Sequence, residues 1–282
     1  MTARAPAIGW SLLLGAALAA SFGAPIVQLA FAVVAIGGIG MAHGASDLAI
    51  VERRRRPVFL ALYGVVALAC LWWWIVDPAI ALPAFLIASA VHFGLEDAPA
   101  GTTIEKVARG TSLVATPATL HVATLGDILR LAGAPGGVPM MVGGMAVAGG
   151  AAAAWLLVAA IRRRDARLLT GTAALLLLPP LVGFSVGFLI LHAVPQTVER
   201  RIQLGCPTII AYLRATGPIL LAAVALVGIV GGLLLRWDPS GMRPLFAGIA
   251  ALAVPHLLVT PWFAPHGLDV GTFRPLRSSA IV

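Results

Sequence analysis

Charged side chains are scarce in this sequence: Asp, Glu, Lys and Arg make up 11% of the 282 residues, whereas 60% are hydrophobic. A soluble domain carries about a quarter charged residues, so this chain lacks the polar surface that it would need in water. The alternating pattern of barrel strands is also missing, and the apolar runs are long. We therefore predict an all-α fold, a polytopic membrane helix bundle with about 8–10 transmembrane helices.

Other absences narrow the function. The two cysteines, Cys70 and Cys206, are far apart and form no CxxC pair, which argues against a disulfide or a zinc site. No glycine-rich phosphate loop and no platform of aromatic and basic residues is present, so we expect the lipid bilayer and no nucleic acid as a partner. The net charge of +8 comes from basic clusters between apolar runs, as in the loops of membrane proteins.

The distribution of basic residues predicts the topology. If both termini lie inside and the double proline Pro179-Pro180 separates two spans, all but three of the 19 basic residues fall on the inner side. The three exceptions are Arg130, Arg236 and Arg243. We therefore expect a multi-pass protein of the cell inner membrane with both termini cytoplasmic.

The chain is predicted to form one domain, a transmembrane helix bundle over residues 1–265, followed by a polar tail over residues 266–282. Two of the predicted spans run from Ala79 to about Glu96 and from Met140 to Ile161. Another runs without a break from about Ile104 to Leu131 and carries His121.

Four histidines interrupt apolar runs, where ionisable groups are costly and therefore suggest a site. His43 and His92 are each followed by a glycine and then a carboxylate, and His192 and His256 lie in apolar runs near the C-terminal end. At about 1.5 Å per residue, His43 and His192 lie roughly 12 to 15 Å from the inner edge of a core about 30 Å thick. Histidines at similar depth on four helices predict a metal site inside the bundle.

The side chains around these histidines leave alternatives open. Imidazole suits iron, copper and zinc, and a set without thiolates favours redox iron. Asp47, Glu96 and Asp97 are predicted to accept the second ring N–H of a ligating histidine. Alternatively, the histidines merely form hydrogen bonds across helices, or they relay protons in a proton-coupled transporter.

Taken in order, the motifs resemble the Brp/Blh family of bacterial and archaeal β-carotene 15,15'-dioxygenases. The family's His-Gly-Ala-x-Asp stretch matches residues 43–47, and its His-Phe-Gly-x-x-Asp stretch matches residues 92–97. An Arg-Gly pair with a histidine about a dozen residues later matches Arg109, Gly110 and His121, and a late Pro-His pair matches Pro255 and His256. The agreement extends over roughly residues 37–261.

The resemblance implies a membrane enzyme that binds non-haem Fe(II) through histidines and splits the central double bond of β-carotene with O₂ into two retinals. This sequence departs from the family pattern at one position. The family shows His-x-x-x-His on a late helix, whereas here His192 is followed four residues later by Gln196. An amide oxygen is a poorer iron ligand than imidazole.

We predict that His43, His92 and His192 are the catalytic iron ligands, with His256 or Gln196 as the fourth. The predicted pocket for β-carotene or a related apolar polyene includes His121, Gly44, Phe93 and Gly94. The alternative is a membrane iron oxygenase that acts on another carotenoid or isoprenoid.

Overall fold

The computed structural model describes residues 4–133, 136–236 and 238–263, and these residues form a helical bundle without strands. The prediction of an all-α polytopic membrane protein is confirmed. The helices, in chain order, are α1 (Arg4–Ser21), α2 (Pro25–Ile50), α3 (Arg53–Val76), α4 (Pro78–Asp97), α5 (Thr103–Ala115), α6 (Pro117–Leu120), α7 (Val122–Ala132), α8 (Val138–Arg163), α9 (Ala166–Leu177), α10 (Pro180–Gln203), α11 (Ile209–Leu234), α12 (Met242–Leu258) and α13 (Thr260–Phe263).

Within the described residues, seven helices are long and apolar enough to cross a membrane: α2, α3, α4, α8, α10, α11 and the continuous run from α12 to α13. The prediction of about 8–10 spans also counted Ala7 to Phe22, Leu168 to Leu178 and the run from Ile104 to Leu131. At the first two places the structure has shorter apolar helices, Gly9–Ser21 and Ala166–Leu177. The predicted separation at Pro179-Pro180 is present, because α9 ends at Leu177 and α10 begins at Pro180.

The run from Ile104 to Leu131 differs from its prediction as one continuous helix. It is divided into α5, α6 and α7, with breaks beside Pro117 and at His121. Proline cannot donate a backbone hydrogen bond, and His121 has a non-helical backbone with φ −127° and ψ 41°. The apolar pattern continues across both breaks, which is why the sequence alone suggested a single span.

Helix α10 is the centre of the bundle. In the most apolar stretch of α10, 72% of the residues are buried, whereas in the most apolar stretch of α11 none are. Val182, Val186 and Leu189 of α10 are almost fully buried in the largest apolar cluster. The helix that carries His192 is therefore surrounded by the other helices, and α11 lies at the periphery.

Close backbone contacts fix α4 against α5. A Cβ atom added at Gly94 would lie 2.4 Å from the Lys106 carbonyl oxygen, and one at Gly110 would clash with the Ala90 carbonyl. Small residues permit such approaches between membrane helices. The position of α4, which carries His92 and Glu96, therefore depends on these glycines.

The topology stays a prediction that reporter fusions can test. A cytoplasmic reporter placed after Arg53 is expected to be active, because the start of α3 at Arg53–Arg55 carries one of the basic clusters. A periplasmic reporter at the same site is expected to be silent. The opposite pattern would overturn the inner-side assignment and the depth argument for the histidines.

Candidate metal centre

Histidines from four helices meet at the centre of the bundle, and we call His43, His92, His192 and His256 the histidine cluster. The ring centroids of His43 lie 5.1 Å from those of His192 and 5.8 Å from those of His256. His92 lies 5.3 Å from both His192 and His256. The four side chains that the sequence placed at similar depth therefore lie side by side.

Two π-helical turns lie at the histidine cluster. The turn Val33–Gly40 ends just before His43, and the turn Leu189–Ala193 contains His192. A π turn inserts a residue into an α-helix, is rare, and occurs frequently at functional sites. The extra residue changes which face of the helix each later side chain occupies. These turns therefore help to determine the direction in which the His43 and His192 side chains point.

Three of the histidines are held through their Nδ1 atoms. His192 donates to Asp97 at 2.9 Å, His256 to Asp47 at 2.5 Å, and His43 to the Gly40 carbonyl at 2.5 Å. Because carbonyls and ionised carboxylates only accept hydrogen bonds, the proton of each ring lies on Nδ1. The Nε2 lone pair of each of these rings is then free to bind a ligand.

The free Nε2 atoms provide the test of whether a metal fits. Nε2 of His192 and Nε2 of His256 are buried and have no hydrogen-bond partner among the described residues. A buried polar atom without a partner is costly and calls for an explanation. Ligating histidines usually donate their other ring N–H to a carboxylate or carbonyl, which is the arrangement found here. The donor set therefore fits a first-row metal ion.

The three predicted supporting carboxylates do not act alike. Asp47 and Asp97 lie behind His256 and His192 and are themselves almost fully buried. Glu96 instead approaches the front of the histidine cluster, with Oε2 at 3.5 Å from His92 Nε2. The pairing also crosses between helices, since neither aspartate contacts the histidine of its own motif through Nδ1.

Gln196 is buried beside the histidine cluster, but its contact is with α4. Its Nε2 atom donates to the Glu96 carbonyl at 3.5 Å. Of the two residues predicted as alternatives for the fourth ligand, His256 is the one whose ring lies against the rings of His43 and His92.

A cavity of about 550 Å³ lies beside the histidine cluster, and all four histidines line it. The remaining lining is mostly apolar and comes from nearly every long helix of the bundle. The volume falls within the range of roughly 300–1,000 Å³ of small-molecule sites. Val33, Leu60 and Leu235 line the cavity and are also about half exposed on the outer surface, so the cavity reaches the face of the bundle that lipid covers.

The predicted pocket residues lie in different places. Gly44 and Phe93 line the cavity. Gly94 and His121 do not: Gly94 packs against the backbone of α5, and His121 lies at the break between α6 and α7. Its Nε2 atom is buried and has no hydrogen-bond partner among the described residues. The predicted tail 266–282 lies outside the described residues.

Several neighbours of the histidine cluster were not predicted. Thr260 donates to Asp47 at 2.9 Å, and the ring of Phe188 lies 5.4 Å from that of His192. Both contacts could have been predicted from helical spacing, because Thr260 follows His256 by four residues and Phe188 precedes His192 by four. Tyr63, which lines the cavity and donates to the Leu252 carbonyl, had no such signal.

The fold and the histidine cluster together define a class: a polytopic membrane protein with a buried histidine cluster that opens onto an apolar cavity. The model of the β-carotene 15,15'-dioxygenase family matches residues 34–264, which include every member of the histidine cluster. The chain therefore belongs to this family. No curated protein and no solved structure matches it.

Proposed function

We propose that this protein is a membrane non-haem iron dioxygenase that cleaves the central double bond of β-carotene with O₂ to give two retinals. Its family supports a dioxygenase-type enzyme that acts on a carotenoid. The observation that carries the proposal is the histidine cluster, which lines an apolar cavity open to the lipid-covered surface and in which Nε2 of His192 and Nε2 of His256 have no hydrogen-bond partner among the described residues.

The four histidines are proposed to hold Fe(II) through Nε2. Asp97, Asp47 and the Gly40 carbonyl keep the proton of three rings on Nδ1 and fix their orientation. Thr260 supports Asp47 by donating to the same carboxylate oxygen as His256. These groups are therefore proposed to hold the ligands in place.

The cavity is proposed to bind the polyene. Apolar side chains around the histidine cluster exclude water, and the polyene requires no charged side chain for recognition. Phe93 and Phe188 pack against His192 and border the cavity next to the iron ligands. A substrate dissolved in the bilayer is expected to enter sideways, where the half-exposed Val33, Leu60 and Leu235 line the cavity.

When bound, ferrous iron would supply the O₂ chemistry that amino-acid side chains lack. In the overall reaction the central C=C bond breaks, and each carbon gains one of the two oxygen atoms of O₂. One molecule of β-carotene and one of O₂ thus give two retinals, with no further reductant required.

Expression in β-carotene-producing bacteria tests the proposal. Cells that express the protein are expected to lose β-carotene and to accumulate retinal, measured by chromatography of extracted pigments. Cells with the His43→Ala protein serve as the control. Apocarotenals of another length would favour a carotenoid oxygenase with a different cleavage position. Unchanged pigments together with ion flux in vesicles would favour a proton-coupled transporter.

A separate prediction concerns the fourth iron ligand, for which His256 and Gln196 are the two candidates. His256→Ala is expected to lose bound iron, because His256 lies against both His43 and His92, whereas Gln196→Ala is expected to retain most of it. Loss of a ligand or its support typically costs about tenfold to a hundredfold in metal affinity, which titration resolves. Full iron binding by His256→Ala, with stronger binding by Gln196→His, would contradict this assignment.

A further inference from the structure

Glu96 differs from the other two carboxylates near the histidine cluster in the ring atoms that it approaches. Asp47 and Asp97 contact Nδ1 atoms at the back of their histidines. Glu96 lies in front, with Oε2 at 3.5 Å from His92 Nε2 and Oε1 at 4.0 Å from His256 Nε2. Its carboxylate therefore faces the same Nε2 atoms that the proposed iron would use.

Neither contact has the geometry of a hydrogen bond, but both distances match the spacing of ligands on one metal ion. Imidazole nitrogens and carboxylate oxygens bind such ions at roughly 2.0–2.2 Å. Two ligand atoms on one ion are then about 3.0 Å apart at a right angle and about 4.2 Å apart when opposite. One ligand atom each of His92, Glu96 and His256 lie within 4.8 Å of one another.

Charge favours a carboxylate in this position. Four neutral imidazoles would leave both positive charges of Fe(II) uncompensated in a site enclosed by lipid and apolar side chains. A buried charge is costly unless it is paired. A carboxylate in direct contact with the ion removes one of these charges, whereas Asp47 and Asp97 act only from behind the rings.

We infer that Glu96 is a ligand of the proposed iron, so that the centre has four imidazoles and one carboxylate. This inference rests on the proposed function. Glu96 follows His92 by four residues on α4, so both side chains project from one face of the helix. Asp97, one residue further, is turned by about 100° and reaches His192 Nδ1 instead.

Gln196 contacts the same part of α4 that carries Glu96. Its amide donates to the backbone carbonyl of Glu96, and Asp97 accepts from His192 four residues earlier on α10. Helix α10 therefore holds the C-terminal end of α4 at two adjacent residues. Gln196 therefore contacts the backbone beside the proposed carboxylate ligand and not the metal.

In the alternative account, Glu96 is a solvated carboxylate that interacts with Arg200 and does not bind the metal. The Glu96 side chain is 30% exposed, and the charge of Arg200 acts on it. In that account Glu96 could lose its charge without any effect on the metal. The two accounts therefore differ in what Glu96→Gln does to a bound ion.

Metal titration of the purified full-length protein separates them, with Co(II) as a spectroscopic probe beside Fe(II). Glu96→Gln is expected to weaken binding of both ions about tenfold to a hundredfold and to change the Co(II) absorption bands, since a ligand is lost. Glu199→Gln is the matched control: Glu199 is exposed on α10 and contacts Gln203. It is expected to behave like the parent protein.

The outcomes are distinguishable. Unchanged affinity and an unchanged Co(II) spectrum in Glu96→Gln would overturn the ligand assignment and leave the iron enzyme intact. A parent protein that binds neither ion would overturn the proposed function itself. If Glu96→Gln does not fold, Glu96→Asp keeps the charge on a shorter side chain and is expected to shift the Co(II) bands; a parent-like spectrum would count against the assignment.

Discussion

Replacing His192 with alanine is expected to abolish both bound iron and retinal formation. His192 is fully buried, lies against the rings of His43 and His92, and is held by Asp97. Its removal deletes one proposed ligand and leaves the Asp97 carboxylate buried without its donor. The iron content of the purified protein, measured by mass spectrometry, and the retinal content of expressing cells are expected to fall together.

Two further variants make this prediction specific. His192→Gln retains an amide that can donate to Asp97, so it is expected to fold but still to lose iron. His266→Ala, in the predicted tail, is expected to change neither iron nor retinal. Full activity in the His43→Ala or His192→Ala protein would contradict the proposed site.

Gly110→Ala is expected to lower the stability of the fold strongly. The added methyl group would clash with the Ala90 carbonyl, which is helix backbone and cannot rotate away as a side chain can. Overpacking typically costs about 1–3 kcal/mol, and this clash with a rigid neighbour lies at the upper end or beyond. The separation of α4 from α5 would also displace His92, so bound iron is expected to fall.

Thermal unfolding of the purified protein in detergent measures this effect. Gly143→Ala on α8 is the matched control, because a Cβ atom at Gly143 would meet nothing within 4 Å. It is expected to keep the parent's melting temperature and iron content. A Gly110→Ala protein with parental values of both would show that α4 and α5 do not approach as closely as described.

Most of the fold could be predicted from the sequence, because helices in lipid require long apolar runs and end at charges and prolines. The boundaries of α4 and α8, for example, lie within two residues of those predicted, Ala79 to Glu96 and Met140 to Ile161. The breaks at Pro117 and His121 could not be predicted, since the surrounding residues are as apolar as those of a continuous span. Whether a proline bends or divides a helix depends on the neighbours that satisfy the freed backbone groups.

The sequence could predict which histidines form the site, but not which residue holds each histidine ring. Depth along each helix suggested that four histidines lie at one level, and they lie together in the structure. The partner of each ring depends on how the helices are rotated and crossed, which sequence spacing does not determine. Asp47 follows His43 by four residues, for example, but it contacts His256, far along the chain.

The central claim is that iron held by the histidine cluster cleaves β-carotene at its central double bond. Its most direct test is the product stoichiometry of the purified protein, with and without Fe(II), in detergent that contains β-carotene and air. The iron-loaded protein is expected to form two retinals for each β-carotene consumed, and the iron-free protein none. Equal turnover without iron, or products other than retinal, would contradict the account.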